Sequence, residues 1–478
     1  MKTFSYSIIA IALLAISPVK AAIQLPDIIG DNMVLQQSTR VKLWGTTSKA
    51  SATITVKTSW DSQAYSARSN SSGKWSVLVS TPKAGYESQS IVLSDGETIK
   101  LNNILIGEVW FCSGQSNMEM PLNGFSNNPI LGANDDIANA SLHKGVRFAT
   151  IPKTSAVTPQ ETCKGKWQVC NPENAQWFGA VAFYFATSLS QILDVPVGII
   201  NCSWGGSMVE GWLPERILRN YPDIDLNDAS QKNGQKPEYL QPMIMYNGML
   251  KPLQNYTIKG FLWYQGESNV GKHKTYAERL AEMVNLWRGE WGLGELPFYF
   301  VELAPYKYNI GNRNDQGAYL REAQFKAQSL IPNSGLASTN DLVEEYEATN
   351  IHPKSKTLIG KRLSYMALVN TYGIKGISDR GPVYKSMEIK ENKAFLSFDN
   401  ANNGFNRSNG ILGFEIAGAD KVFYPAEATV DRRRQIVVSS DKVVEPVAVR
   451  YAFRDYLPGN LQNTKEQPAY PFRTDDWE

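Results

Sequence analysis

The chain has 478 residues, 42% of them apolar, and carries 48 Lys and Arg against 46 Asp and Glu. That length supports two or three domains at about 100–200 residues each, with sizeable cores. A net charge of +2 with no Lys/Arg block argues against nucleic acid or an anionic membrane as partner, and four cysteines are too few for a disulfide scaffold.

In chain order, Lys2 precedes an apolar run over Ile8–Ile16, and the small residues Ala21 and Ala22 follow. This is the pattern of a signal peptide over residues 1–22 and predicts a secreted or periplasmic protein. The run is too short to span a bilayer, which takes about 20 residues, and no later stretch is apolar enough to do so. Residues 23–105 read as a small β-sandwich. Short β-branched runs at Val41–Leu43, Ala52–Lys57, Trp75–Val79 and Ser90–Leu93 are separated by turns such as Asn70-Ser71-Ser72-Gly73 and Ser94-Asp95-Gly96.

From about Ile106 the pattern changes. Apolar runs at Val109–Cys112, Val197–Asn201, Ile258–Tyr264, Phe298–Leu303 and Gly335–Thr339 have the character of buried strands. They alternate with segments of helical length and periodicity at Ala180–Leu193, Tyr276–Trp291, Gly317–Leu330 and Lys356–Val369. Residues 106–376 are therefore expected to form an α/β domain with a parallel sheet covered on both faces. Residues 377–478 return to short strands, as at Ala394–Phe398, Val422–Tyr424 and Val447–Tyr451, and are expected to be β-rich, with the N-terminal strands as one packing partner. Cys163 and Cys170 share a loop-like stretch and are placed to pair in an oxidising compartment, whereas Cys112 and Cys202 read as buried thiols. No cysteine spacing resembles a zinc site.

The chemistry concentrates at strand ends. In Gly107-Glu108-Val109-Trp110-Phe111-Cys112-Ser113-Gly114-Gln115-Ser116-Asn117-Met118 a buried strand runs into a polar turn, with Ser116 just past its carboxyl end. Ligands and nucleophiles collect there in α/β folds, although a serine in that place also serves as a helix cap. A hydroxyl needs a base. His143 lies in a polar loop and His273 between two lysines, in what reads as an exposed basic turn. His352 instead precedes Pro353 after a strand and an acidic loop, so its backbone is held extended at a helix start. Oxyanion donors are offered by Ser203-Trp204-Gly205-Gly206-Ser207, where glycines allow close backbone approach, and by the amide of Gln265 in Gln265-Gly266-Glu267-Ser268-Asn269.

Together with Ile351-His352-Pro353, these segments resemble the SGNH hydrolases and, more narrowly, the sialate O-acetylesterase group. The likeness runs from Gly30-Asp31-Asn32-Met33-Val34-Leu35-Gln36 to at least Leu363. It implies an SGNH-type three-layer α/β/α domain, Ser116 as nucleophile and His352 as base. It also implies an oxyanion hole from the N–H of Ser116, Gly206 (with Gly205 a rival) and the side chain of Gln265. The chain departs from the family pattern at Thr349, where many members carry an aspartate that orients the base. Glu347 is the first of several nearby acids, with Glu345, Glu344 and Asp341, that offer a substitute; otherwise the site is a Ser–His dyad with a backbone carbonyl on the ring.

The resemblance implies acyl transfer without metal or cofactor, and an acetylated carbohydrate as substrate: O-acetyl sialic acid first, acetyl-xylan or another plant glycan as the alternative. A secreted glycan-binding protein with an inactive α/β domain is the reading from a different class. A lipase or peptidase is disfavoured, because no Gly-x-Ser-x-Gly elbow or apolar lid is present. Trp204, Trp212, Trp263 and Tyr264 lie beside the motifs but are expected chiefly to pack, and Arg313 and Arg321 are available to clamp a carboxylate.

Overall fold

The computed structural model describes residues 23–227, 237–308, 310–311 and 313–478. The signal-peptide reading of residues 1–22 lies outside them.

The N-terminal strands are β1 (Ile23–Gln24), β2 (Val34–Gln36), β3 (Arg40–Thr47), β4 (Thr53–Thr58), β5 (Ala64–Arg68), β6 (Lys74–Ser80), β7 (Gly85–Ser94) and β8 (Thr98–Gly114). Strict alternation in β4 and β6 turns Ile54, Val56, Trp75, Val77 and Val79 inward and leaves the intervening residues outside. The antiparallel sheet β1-β3-β6 faces the antiparallel run of β5, β4, β7 and β8 across a shared apolar core.

β8 is the hinge of the architecture. Its first half pairs with β7 and, at Leu105–Gly107, with β2. Its second half runs on as the central strand of a parallel sheet, so position 105/106 lies within one continuous strand. The remaining strands of that sheet are β9 (Val146–Thr150), β10 (Trp167–Val169), β11 (Val197–Ser203), β12 (Gly260–Tyr264), β13 (Phe298–Val301) and β14 (Ser334–Ala337). Their order is β10-β9-β11-β8-β12-β13-β14, with β10 the antiparallel edge.

Alternate residues of β8 enter different cores. Trp110 and Cys112 meet helices Ala180–Leu193 and Lys356–Met366 on one face, while Val109 and Phe111 join helix His273–Trp291 on the other. A sheet buried on both faces has no polar alternation, which is why these strands read as continuous apolar runs. The parallel sheet covered on both faces, expected from the alternating pattern, and the three-layer α/β/α arrangement that the resemblance implied are both present. β9 and β10, which the sequence did not disclose, complete one edge.

The C-terminal strands are β15 (Val383–Lys390), β16 (Lys393–Asp399), β17 (Phe414–Ala417), β18 (Phe423–Pro425), β19 (Glu427–Val430), β20 (Ile436–Ser439), β21 (Ala448–Tyr451) and β22 (Phe472–Arg473). They form two four-stranded antiparallel sheets around Leu396, Ile416, Ile436, Val438, Val449 and Tyr451. Among the described residues, the hydrogen bonds that join this unit to the rest of the molecule include several to the α/β layer. Arg321 Nη2 donates to Ala452 O (3.0 Å) and Arg454 O, Gly317 N to Asp455 Oδ1 (2.7 Å), and Tyr470 Oη to Leu336 O (2.7 Å).

The expected Cys163–Cys170 pair is not formed, and all four cysteines are free thiols. β10 separates the two: Cys163 faces Asp27 and Cys202, Cys170 faces Arg147, and burial pushes each thiol up to about 12.

Candidate active site

Three loops at the carboxyl ends of β8, β11 and β12 converge with the loop that precedes helix Lys356–Met366. The turn after β8 is very tight. Gly114 has φ +139°, and a Cβ there would lie 2.1 Å from the carbonyl oxygen of Tyr264 on the neighbouring strand, so only glycine fits. Gln115 then turns the chain into the short helix Ser116–Glu119, with its side-chain oxygen accepting from Gly266 N (3.1 Å). Ser116 occupies the first helical position, where the backbone N–H has no intrahelical acceptor.

Ser116 Oγ lies 2.9 Å from His352 Nε2. Both residues are partly exposed, so the pair is open to a ligand. The His352 backbone N–H donates to Asn350 Oδ1 (3.0 Å), and the Phe125 ring packs against the imidazole in a T-shaped pair, 5.3 Å between centroids. Among the described residues no carboxylate oxygen comes within 4.0 Å of a His352 ring nitrogen.

Glu347, the first choice for that role, is therefore corrected. Its buried carboxylate accepts from Glu344 N (3.1 Å) and Lys354 N (3.1 Å) and closes a capping box. It staples the loop that carries His352 instead of touching the ring.

The two glycines after β11 are distinguished by their partners. Gly205 N donates to Glu119 Oε2 (2.6 Å), and Glu119 in turn pairs with Lys153 at 2.7 Å. Gly206, at φ +80°, has no recorded acceptor for its N–H among the described residues. Its carbonyl accepts from Ser268 Oγ (2.7 Å), and the exposed Tyr239 ring lies over it.

Gln265 does not join them. It is fully buried, and its amide donates to Ser207 O (3.0 Å) and Asn269 Oδ1 (2.7 Å), which uses both of its N–H groups. Asn269 is held by Glu210 (3.0 Å), itself bound to buried Arg279 (2.7 Å). The side chain braces the loops behind the site.

A polar network beneath Ser116 was not visible in the sequence. Asn117 Nδ2 donates to Glu267 and to Ile351 O (3.0 Å), and its Oδ1 accepts from Lys356 Nζ. The loop bearing His352 is thus tied to the residue that follows Ser116. Lys356 is fully buried, which lowers its amine to about 7 against the opposing influence of Glu267 and Glu347. Burial and the nearby Lys356 cation together lower His352 to about 4. Asn117 adjoins Ser116, Glu267 sits inside the Gln265 motif and Lys356 lies one turn past His352, yet nothing in their types marks them as buried.

The other aromatic and basic residues fall as packing predicts. Trp212, Trp263 and Tyr264 are wholly buried and Trp204 nearly so. Arg321 is buried under the C-terminal unit and Arg313 pairs with Asp315, so neither is a substrate clamp in this structure. His143 packs edge-on to Phe183. His273 is not the exposed turn residue expected: it opens helix His273–Trp291, stacks on Tyr319 and meets Glu478 at 3.0 Å.

Residues 106–368, more than half the chain, match the carbohydrate esterase family of sialic acid-specific acetylesterases. The chain belongs to this family. Its relatives include the sialate O-acetylesterases of mouse, 26% identical over 428 residues and covering 77% of each chain, and of human, 27% identical over 399 residues and covering 77% and 75%. Among solved structures, a carbohydrate acetylesterase from Xanthomonas citri is 32% identical, with a TM-score of 0.83 over 95% of this chain and 100% of that one. The chain is thus a member of a family of carboxylic-ester hydrolases, and its three-layer fold is that of a carbohydrate esterase.

Proposed function

We propose that this esterase removes O-acetyl groups from sialic acids through a Ser116 acyl-enzyme, after export directed by residues 1–22. The observation that carries the mechanism is the 2.9 Å approach of Ser116 Oγ to His352 Nε2, with the backbone N–H groups of Ser116 and Gly206 as the proposed oxyanion donors.

Neutral His352 accepts the Ser116 hydroxyl proton at Nε2, which requires its own proton on Nδ1. Oγ attacks the acetyl carbonyl, and the oxyanion is received by the two backbone donors. The C–O bond to the sugar breaks, and the sugar oxygen takes the proton from His352. Water, deprotonated by the same ring, then cleaves the acetyl-enzyme to acetate. Without a carboxylate on the ring this is a dyad, with Asn350, Phe125 and the Asn117–Ile351 bond fixing the imidazole's position. Ser116→Ala is expected to lower kcat/KM for an aryl acetate by about 1,000-fold or more, with its thermal melt unchanged; near-normal turnover would refute the assignment.

The sialic acid assignment rests on the names of the mammalian relatives. The likeness to the Xanthomonas citri enzyme, over nearly the whole chain, favours a second reading, deacetylation of another glycan. Acetate release from O-acetyl sialic acid, acetyl-xylan and an aryl acetate separates them: preference for the first supports the primary reading, and action on xylan alone replaces it. Phe125 and Tyr239, which flank the Ser–His pair at His352 and Gly206, offer ring faces to a sugar in either case.

A further inference from the structure

A groove of about 890 Å³ opens between the N-terminal strands and the central domain, away from Ser116 and His352. Its walls include the largely buried Trp44 and Trp75. Neutral polar groups of Gln24, Asn70, Gln160 and Asn255 line the same walls.

The charge of the groove is one-sided. Lys74 is cancelled by Glu161, with which it forms an ion pair across the opening. Lys42, Arg68, Lys164 and Lys251 remain, with no recorded ion pair among the described residues, against the single further carboxylate of Asp27. Lys42 and Lys251 reach only the amide oxygens of Asn255 (3.0 Å) and Gln254 (2.7 Å), and Arg68 the carbonyl of Ser51 (3.3 Å). Such a surplus in a concave site attracts anions, while indole and amide groups suit sugar rings and hydroxyls. The loop over residues 151–165 links this groove to the catalytic pair: Lys153 binds Glu119 on the Ser116 helix, and Thr154 and Gln160 line the groove.

We propose that the groove is a second carbohydrate-binding site, distinct from the Ser116–His352 pair, that takes a carboxylate-bearing oligosaccharide. It would hold an acidic glycan chain on the enzyme while the chain's acetylated parts reach Ser116. The proposal does not depend on the acyl-enzyme mechanism, because binding is read without turnover.

The test is calorimetric titration of hexagalacturonate, and of neutral xylohexaose, into the wild-type chain and into an Arg68→Gln/Lys164→Gln double variant. Both positions are exposed, so folding is not at risk. Hexagalacturonate is expected to bind the wild type and to weaken at least about tenfold in the variant. Affinity should also fall as NaCl rises from about 50 to about 300 mM, while aryl acetate hydrolysis is the same in both proteins. No binding, equal affinity in wild type and variant, or equal affinity for xylohexaose would overturn the proposal. If the wild type binds but does not hydrolyse aryl acetate, the catalytic reading fails and the groove stands.

Discussion

An imidazole with no carboxylate on its ring nitrogens among the described residues must be held in place by other means, and His352 shows which. Pro353 fixes the backbone that follows it, Asn350 takes its N–H, Phe125 packs against the ring, and Asn117 anchors the preceding carbonyl. The electrostatic consequence is distinctive: burial and the Lys356 cation both disfavour the imidazolium. As the proposed base, His352 is active when neutral, so kcat/KM for an aryl acetate should stay level from pH 8 down to about 5 and fall through about pH 4. A fall centred near 6.5 would show that the ring is not so disfavoured. Lys356→Met removes the positive neighbour without removing bulk, so the acid limb should move upward, towards but short of 6.5; a purely structural lysine would leave the limb in place. His352 was legible in the sequence because Pro353 and the chain's other two histidines singled it out. Lys356 was not, since a lysine four residues on reads as solvated until tertiary packing buries it. Gln265 misled for the converse reason: its position in the motif was clear, but the direction of its amide depends on Asn269 and Ser207.

At the scale of elements, the strand-to-helix turn after β8 sets the geometry. The positive φ of Gly114 and its contact with the Tyr264 carbonyl place Ser116 beyond the sheet edge. Gly114→Ala would force its methyl into that carbonyl in a backbone region that L-residues avoid. A loss of about 3 kcal/mol or more is expected, read as a lowered urea midpoint, and a midpoint within experimental error of wild type would refute the close contact. The loop over residues 344–354 is closed by the two acceptor bonds of Glu347, a capping role that sequence spacing alone did not separate from catalysis. The central strands and long helices were legible because fully buried strands are continuous apolar runs and the helices keep their period. β9 and β10 were missed: β10 is a three-residue edge strand, and β9 carries Arg147 and Thr150 among its apolar residues.

For the whole molecule, the C-terminal unit is joined to the α/β layer by buried polar groups. Arg321 spends Nη2 on carbonyls of that unit, and the Gly317 N–H depends on Asp455. Deleting residues 377–478 would leave a buried guanidinium and a helix start without acceptors, and would expose the face beneath them. The truncated chain is expected to be insoluble or to melt well below the intact protein; soluble expression with an unchanged melt would show that the unit is merely appended. By itself the sequence determined the order of β, α/β and β regions, the family, and the serine and histidine that meet, because hydrophobic period and strand-end motifs are local properties of the chain. Only the tertiary structure decided that Glu347 and Gln265 brace loops, that the Gly205 N–H is taken by Glu119 while the Gly206 N–H has no acceptor among the described residues, and that Lys356 lies buried beside His352. Those depend on which donor faces which acceptor across distant segments, and on burial, which no local pattern encodes.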